Sequence, residues 1–328
     1  MNKKLVASVS VVALLIVGFF VYQNVTAVKS KEVNLSAQQE KITEYANPKA
    51  LITAEALKEL LDENKEDVVV IGTMESKEAI PDSFVVWRPD YSGTEAFDYD
   101  GMANTKEEME KLLSDFGVKE DTTIVTYAGN DQHDSARVFW QLKMLGHDDV
   151  RMLDGGMPVW LGAGYETAEP AKIGDRETTD YKAPDYNPDA FNASLELVTK
   201  AVDNDDYIII DTRGEDEETG SDTKKGAFGP GKIKGAKWLQ YSAATTEEGT
   251  FKSKEELEEI YKEYTDSGKQ LIPYCQSGVR SAYTWFVLTQ ILGYEDALNY
   301  DGSWIEWSYQ AYEKGNQDII DRTENGEF

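Results

Sequence analysis

The chain has 328 residues, a length expected for two domains, and its 7 Trp, 18 Tyr and 11 Phe supply enough apolar area to exclude wholesale disorder. A single cysteine excludes a disulfide scaffold, and with only 2 histidines beside it a zinc finger or binuclear metal centre is excluded as well. A formal net charge of −28 repels phosphate backbones and argues against a nucleic-acid binder.

Lys3 and Lys4 precede Leu5 to Val28, a stretch without a charged side chain. The basic flank and apolar run predict that residues 1–28 are a signal peptide or a membrane anchor. Val25-Thr-Ala27 offers a plausible cleavage site, and no cysteine stands nearby to carry a lipid. The remainder is then exported: extracytoplasmic, secreted or held at the membrane by this segment alone. In an oxidising compartment a lone thiol has no partner in its own chain, which marks Cys275 as functional rather than structural.

Residues 29–48 read as a polar tether, and residues 49–174 as a first domain. Thr53 to Glu63 has helical spacing, Asp67 to Gly72 is a continuous apolar run and hence a buried strand, and Lys106 to Phe116 is a helix. Thr122 to Tyr127 is another buried strand, followed by a helix from Ser135 to Leu145 that ends at Gly146. Residues 175–190 carry charges and prolines without apolar period and read as a linker. Over residues 191–328 the series restarts: helix Leu195 to Val202, strand Tyr207 to Asp211, helix Lys254 to Tyr264, strand Gln270 to Tyr274, helix Ser281 to Leu292. Short strands alternating with helices imply parallel-sheet α/β domains.

The restart is an internal repeat. Shifted by 147 residues, Tyr127 to Trp160 lies on Tyr274 to Trp307 without a gap. Tyr127/Tyr274, Phe139/Phe286, Gly146/Gly293, Asp154/Asp301 and Trp160/Trp307 are among the identical pairs. So long a period means two duplicated domains rather than a solenoid.

Cys275 falls where the second copy leaves its strand, in Tyr274-Cys-Gln-Ser-Gly-Val-Arg-Ser281, just before a helix. A thiol there feels the positive helix end and unpaired backbone N–H groups, and Arg280 adds a full charge if it points inward. Gly278 lets the backbone curl so that its amides converge on one point, an anion-binding nest. A buried structural cysteine is the bland alternative, but a polar, glycine-containing loop does not suit a packed core.

This loop resembles the active-site loop of the rhodanese family of sulfurtransferases. Thr284-Trp-Phe-Val-Leu288, Leu292-Gly-Tyr294 and Asn299-Tyr-Asp-Gly-Ser-Trp304 are similar to bacterial two-domain members. Asp211-Thr-Arg213 matches the family's Asp-x-Arg, and Gly231-Lys-Ile-Lys-Gly-Ala236 its Gly-His-Ile-x-Gly-Ala element, with Lys232 in place of His. The resemblance spans roughly residues 50–315. It implies two rhodanese-like domains, each a parallel sheet flanked by helices, with a cleft between them.

The same resemblance implies a thiosulfate sulfurtransferase. Cys275 would take sulfane sulfur from thiosulfate as a persulfide and pass it to cyanide or a thiol. Gln276, Ser277, Gly278, Val279 and Arg280 would bind the donor, and Arg213 would support the pocket or the donor. No metal or organic cofactor is required, and a monomer is expected.

The first copy has Ala128 in place of Cys275 and His133 in place of Arg280, and its strand ends Ile71-Gly-Thr73 without the Asp and Arg. It therefore resembles an inactive N-terminal domain that builds one wall of the cleft. Arg137 and His133 could face that cleft or serve structure. Glu217 stands where some members carry an extra arginine, which weighs against strict thiosulfate preference. Mercaptopyruvate enzymes resemble Cys-Gly-Ser-Gly-Val-Thr, and Arg280 in the last position favours an oxyanion-bearing donor. A non-turnover sulfane-sulfur carrier would use the same residues.

Cysteine phosphatases place five residues between Cys and Arg, whereas Cys275 and Arg280 enclose four, a tighter cup. The acidic runs Asp203 to Asp206 and Glu215 to Glu218 lack calcium-loop spacing and read as solvated loops. Trp160 and Trp307 read as core, and Trp304 as a candidate for the cleft mouth.

Overall fold

A computed structural model gives the structure over residues 30–31, 33–93 and 97–321. The segment expected to direct export lies outside the described residues. Among the described residues no helix is long and apolar enough to cross a membrane.

Residues expected to form a tether instead open with helix α1 (Leu35–Thr43), capped by the Asn34 side chain. Gln38 and Ile42 are buried, and so is Tyr45 just beyond. Gln38 Nε2 donates to Asp154 Oδ2 of the first domain at 2.9 Å, and the Tyr45 hydroxyl donates to the Lys252 carbonyl of the second at 2.8 Å. This helix therefore straps the two domains together. Its apolar positions Leu35, Ile42 and Tyr45 keep helical spacing, a signal hidden by the surrounding polar residues.

The first domain continues through β1 (Leu51–Ile52), α2 (Ala54–Asn64), β2 (Val68–Thr73), β3 (Phe84–Val86), α3 (Arg88–Tyr91), α4 (Lys106–Asp115), β4 (Thr123–Ala128), α5 (His133–Met144), β5 (Val150–Leu153) and α6 (Gly156–Gly162). Its sheet has the order β1-β5-β4-β2-β3 with every pairing parallel. All six residues of β2 are buried, as a strand covered on both faces requires. Thr53 caps α2, and a reciprocal Thr105–Glu108 capping box starts α4.

The second domain has α7 (Leu195–Ala201), β6 (Tyr207–Asp211), α8 (Glu215–Glu218), β7 (Lys232–Ile233), β8 (Lys237–Trp238), α9 (Lys254–Thr265), β9 (Gln270–Tyr274), α10 (Val279–Phe286), α11 (Ser303–Ser308) and β10 (Ile320–Asp321). Its parallel sheet β8-β6-β9 is extended by parallel bridges Leu271–Ala297 and Asn192–Asn299, reproducing the first sheet's order in shortened form. A small antiparallel pair, β10 with β7, closes one side. After Phe286 the helix widens into a π-turn over Val287–Ile291.

From β6 the chain runs to β8 on one side, and from β9 to residues 297–299 on the other. The carboxyl ends of β6 and β9 thus flank a topological switch point, where open α/β sheets place ligands.

Helices α5 and α10, equivalent in the repeat, pack on each other. Phe139 and Phe286 meet edge to face with ring centroids 4.8 Å apart. The same approximate two-fold relates other contacts: Asp154 accepts from the Phe251 amide of the second domain, and Asp301 from the Ala103 amide of the first.

Candidate active site

Cys275 follows β9 directly, and α10 begins at Val279, two residues before the expected start. The loop is therefore only four residues long, with Gly278 at φ +73 as the helix cap. A Cβ there would come within 2.5 Å of an Arg137 nitrogen and 2.7 Å of the Asp301 carbonyl, so glycine is required for space as well.

The thiol of Cys275 is 1% exposed. Burial pushes it up, but the Arg280 charge, the Ser281 N–H and hydroxyl, and the Ser277 N–H outweigh burial and hold it below the ordinary thiol range. The Ser281 hydroxyl lies 3.6 Å from Sγ. The loop is thus built to hold a thiolate.

Not every amide of the expected nest is free. The N–H groups of Cys275 and Gly278 both donate to Ser303 Oγ, at 3.1 and 2.9 Å, and Ser303 in turn donates to the Tyr300 carbonyl at 2.7 Å. Gly278 therefore supports the loop rather than offering its amide to a donor. Ser303 sits at φ +48, a conformation unusual for a residue with a side chain, while its repeat counterpart Gly156 has φ +57. The second copy accepts this strain where its hydroxyl anchors the loop. The Gly156/Ser303 difference between the copies was the available sequence signal.

Below the loop, the Gly278 carbonyl accepts from Asn299 Nδ2 at 3.1 Å and from Arg137 Nη1 at 3.3 Å. Arg137 is fully buried, ion-paired with Asp301 and donates to the Gly101 carbonyl. Its role is structural. The first domain thereby reaches under the nucleophile's loop.

Arg213 is turned into the protein. It is 1% exposed, its Nε donates to Asp211 Oδ1 at 2.9 Å and its Nη2 to the Gly231 carbonyl at 2.9 Å, and its guanidinium stacks over Trp304. Arg213, expected to support the pocket or the donor, is thus placed inside the protein and paired with Asp211. Trp304, itself 1% exposed, packs there rather than at the cleft mouth. Tyr274 completes the network by donating its hydroxyl to Asp211 Oδ2 at 2.6 Å. In the first copy Gly72 replaces Asp211, and a Cβ there would meet the Tyr127 hydroxyl at 2.6 Å, so that network has been erased.

Arg280 is held by a residue read from sequence as part of a solvated run. Glu217, buried at 4% exposure, accepts from Arg280 Nη1 at 2.6 Å and from Nη2 at 2.8 Å. Its neighbour Glu218 pairs with Lys232. Of the remaining expected donor-binding residues, Val279 is buried, Gln276 and Ser277 are half-buried, and Gln276 Nε2 reaches the Lys225 carbonyl at 3.5 Å.

The first domain contributes a charged wall. His133 contacts Asp131 at 2.9 Å and Asp134 at 3.2 Å. Burial lowers its pKa, but these two carboxylates win and raise it to about 9. The Asp131 carboxylate accepts from the Tyr241 hydroxyl of the second domain at 2.6 Å, bridging the domains. Asp134 also accepts from Arg88 Nε at 2.9 Å. Arg88 and Tyr241 both interact electrostatically with Cys275, and neither was singled out from sequence.

The chain matches the description "Rhodanese-like domain" twice, over residues 51–163 and 194–310. It belongs to the rhodanese family. A Mycobacterium bovis protein named "Putative thiosulfate sulfurtransferase SseA" is 32% identical over 279 residues, covering 81% of this chain and 90% of the relative. A Haloferax volcanii "Putative thiosulfate sulfurtransferase" is 36% identical over 221 residues, 65% of this chain and 76% of that one. The crystal structure of Tum1 from Saccharomyces cerevisiae superimposes with a TM-score of 0.72 at 22% identity, covering 83% of this chain and 97% of Tum1, which shows the shared fold. As a tandem rhodanese the chain carries its thiol in the second domain, while the first has Ala128 at the equivalent position.

Proposed function

We propose that the protein is a sulfurtransferase that moves sulfane sulfur from thiosulfate to cyanide or a thiol through a persulfide on Cys275. The observation that carries this reading is the convergence of the Ser277 and Ser281 amides and the Arg280 charge on one buried thiol. The Cys275 thiolate attacks the outer sulfur of thiosulfate, the S–S bond of the donor breaks, and sulfite leaves with the electron pair. The negative persulfide is then held by the same N–H groups until a second nucleophile removes the outer sulfur. The names of the relatives point to the same donor. A mercaptopyruvate donor would use the same nucleophile.

We further propose that residues 1–28 direct export, so that this chemistry takes place outside the cytoplasm. Steady-state assay with thiosulfate and with mercaptopyruvate tests the donor. Mass spectrometry after thiosulfate treatment should show one added sulfur atom on the wild type and none on Cys275→Ser. Turnover by the Ser variant would overturn the mechanism, and stoichiometric loading without turnover would instead identify a carrier.

A further inference from the structure

The charge on Arg280 is matched by a carboxylate inside the protein. Glu217 takes both terminal nitrogens of the guanidinium in a bidentate pair, and it is buried enough for the pair to be little screened by salt. An incoming anion therefore meets an ion pair of no net charge. The groups facing this pair are Cys275 and Tyr241, with Arg213 and Lys224 also feeling the Glu217 charge. Arg213 is itself neutralised by Asp211, and Lys224 is ion-paired with Asp222. The loop amides around Sγ remain, and they favour a single negative charge on the transferable sulfur.

We propose that Glu217 is a specificity-determining residue of the donor pocket: by occupying Arg280 it removes the preference for a dianionic sulfur donor over a monoanionic one. This rests on the sulfurtransferase reading and refines it to the charge the pocket selects, for which a thiosulfonate R–SO2–S− is the monoanionic probe and thiosulfate the dianionic one. With such a donor the Cys275 thiolate bonds to the terminal sulfur, the S–SO2R bond breaks, and the sulfinate RSO2− departs with the electron pair. The product is the same persulfide anion, and no oxidant or reductant is consumed.

Thiosulfate and methanethiosulfonate differ at the leaving group by one charged oxygen replaced by methyl, so they isolate the charge. Their kcat/KM values should be compared, with cyanide as acceptor, in wild type and Glu217→Gln. The thiosulfate to methanethiosulfonate ratio should rise about tenfold in the variant, the scale of one charge-assisted contact. Alkylation of Cys275 by neutral iodoacetamide, followed against pH, should shift its midpoint downward, because one negative charge near the thiolate is gone.

A ratio that stays within about twofold, on that same scale, overturns the proposal. So does loss of activity with both donors together with an upward alkylation midpoint, which would mean that Glu217 only holds Arg280 in place. If the wild type turns over neither donor, the sulfurtransferase reading fails. The charge selection is then read from protection of Cys275 against alkylation by sulfate and by methanesulfonate. A sulfate to methanesulfonate ratio that rises in Glu217→Gln supports the proposal, and an unchanged ratio overturns it.

Discussion

Arg137 of the first domain donates to the carbonyl of Gly278 in the cysteine loop of the second, at 3.3 Å, while ion-pairing with Asp301 beneath it. The domain without a nucleophile thus holds the loop that carries one. A buried charge whose partner is removed is left uncompensated, which typically costs about 3–5 kcal/mol. Arg137→Ala should therefore lower the unfolding free energy by that amount in urea titrations. The double variant Arg137→Met/Asp301→Leu should recover much of the loss in stability without recovering activity, because the Gly278 carbonyl keeps only its Asn299 donor and the loop loses its tie to the first domain.

Ser303 gives a second separation of stability from activity. In Ser303→Ala two buried amides lose their acceptor, at about 1–3 kcal/mol for each unsatisfied group. Ser303→Gly loses the same acceptor but relieves a left-handed residue, recovering on the order of 1 kcal/mol. Both variants should show kcat/KM reduced about tenfold through a loosened loop, with the Gly variant the more stable of the two by denaturant unfolding.

The Arg280 charge is foremost among the groups that hold the thiol down. In Arg280→Ala the iodoacetamide midpoint of Cys275 should move up, and kcat/KM for thiosulfate should fall by roughly ten- to a hundredfold, corresponding to about 1.5–3 kcal/mol. The variant also leaves Glu217 facing the thiolate, so the loss should be partly reversed in Arg280→Ala/Glu217→Gln.

His133 should impose a pH dependence on stability. Its pKa is raised from 6.5 to about 9 in the folded protein, where it contacts Asp131 and Asp134. A group whose folded pKa lies above its unfolded value stabilises fully below the unfolded value and loses that contribution as pH rises through the folded one. The advantage of wild type over His133→Gln should be largest at pH 6 and below, on the order of 3 kcal/mol, and should fade as the pH approaches 9. Urea unfolding of both proteins across this range measures it. An advantage that grows with pH would show that the carboxylates, rather than the imidazolium, dominate the wall.

Local sequence determined much of this protein. Continuous apolar runs such as Val68 to Ile71 could only become covered strands, the 147-residue repeat required two like domains, and a strand end followed by Cys275, Gly278 and Arg280 required a tight thiol loop at a helix start. Tertiary structure decided how the charges are spent. Glu217 and Arg213 look equivalent as polar residues near one strand end, yet one turns inward onto Arg280 and the other is buried under Trp304 against Asp211. The same holds for α1, whose few apolar residues acquire partners only where the two domains meet, and for Arg137, whose partners lie in the other domain. Backbone preference and apolar pattern act over a few neighbours along the chain. A charged side chain's role depends on which opposite charge lies within a few ångströms after burial, and that is set by residues far away in sequence.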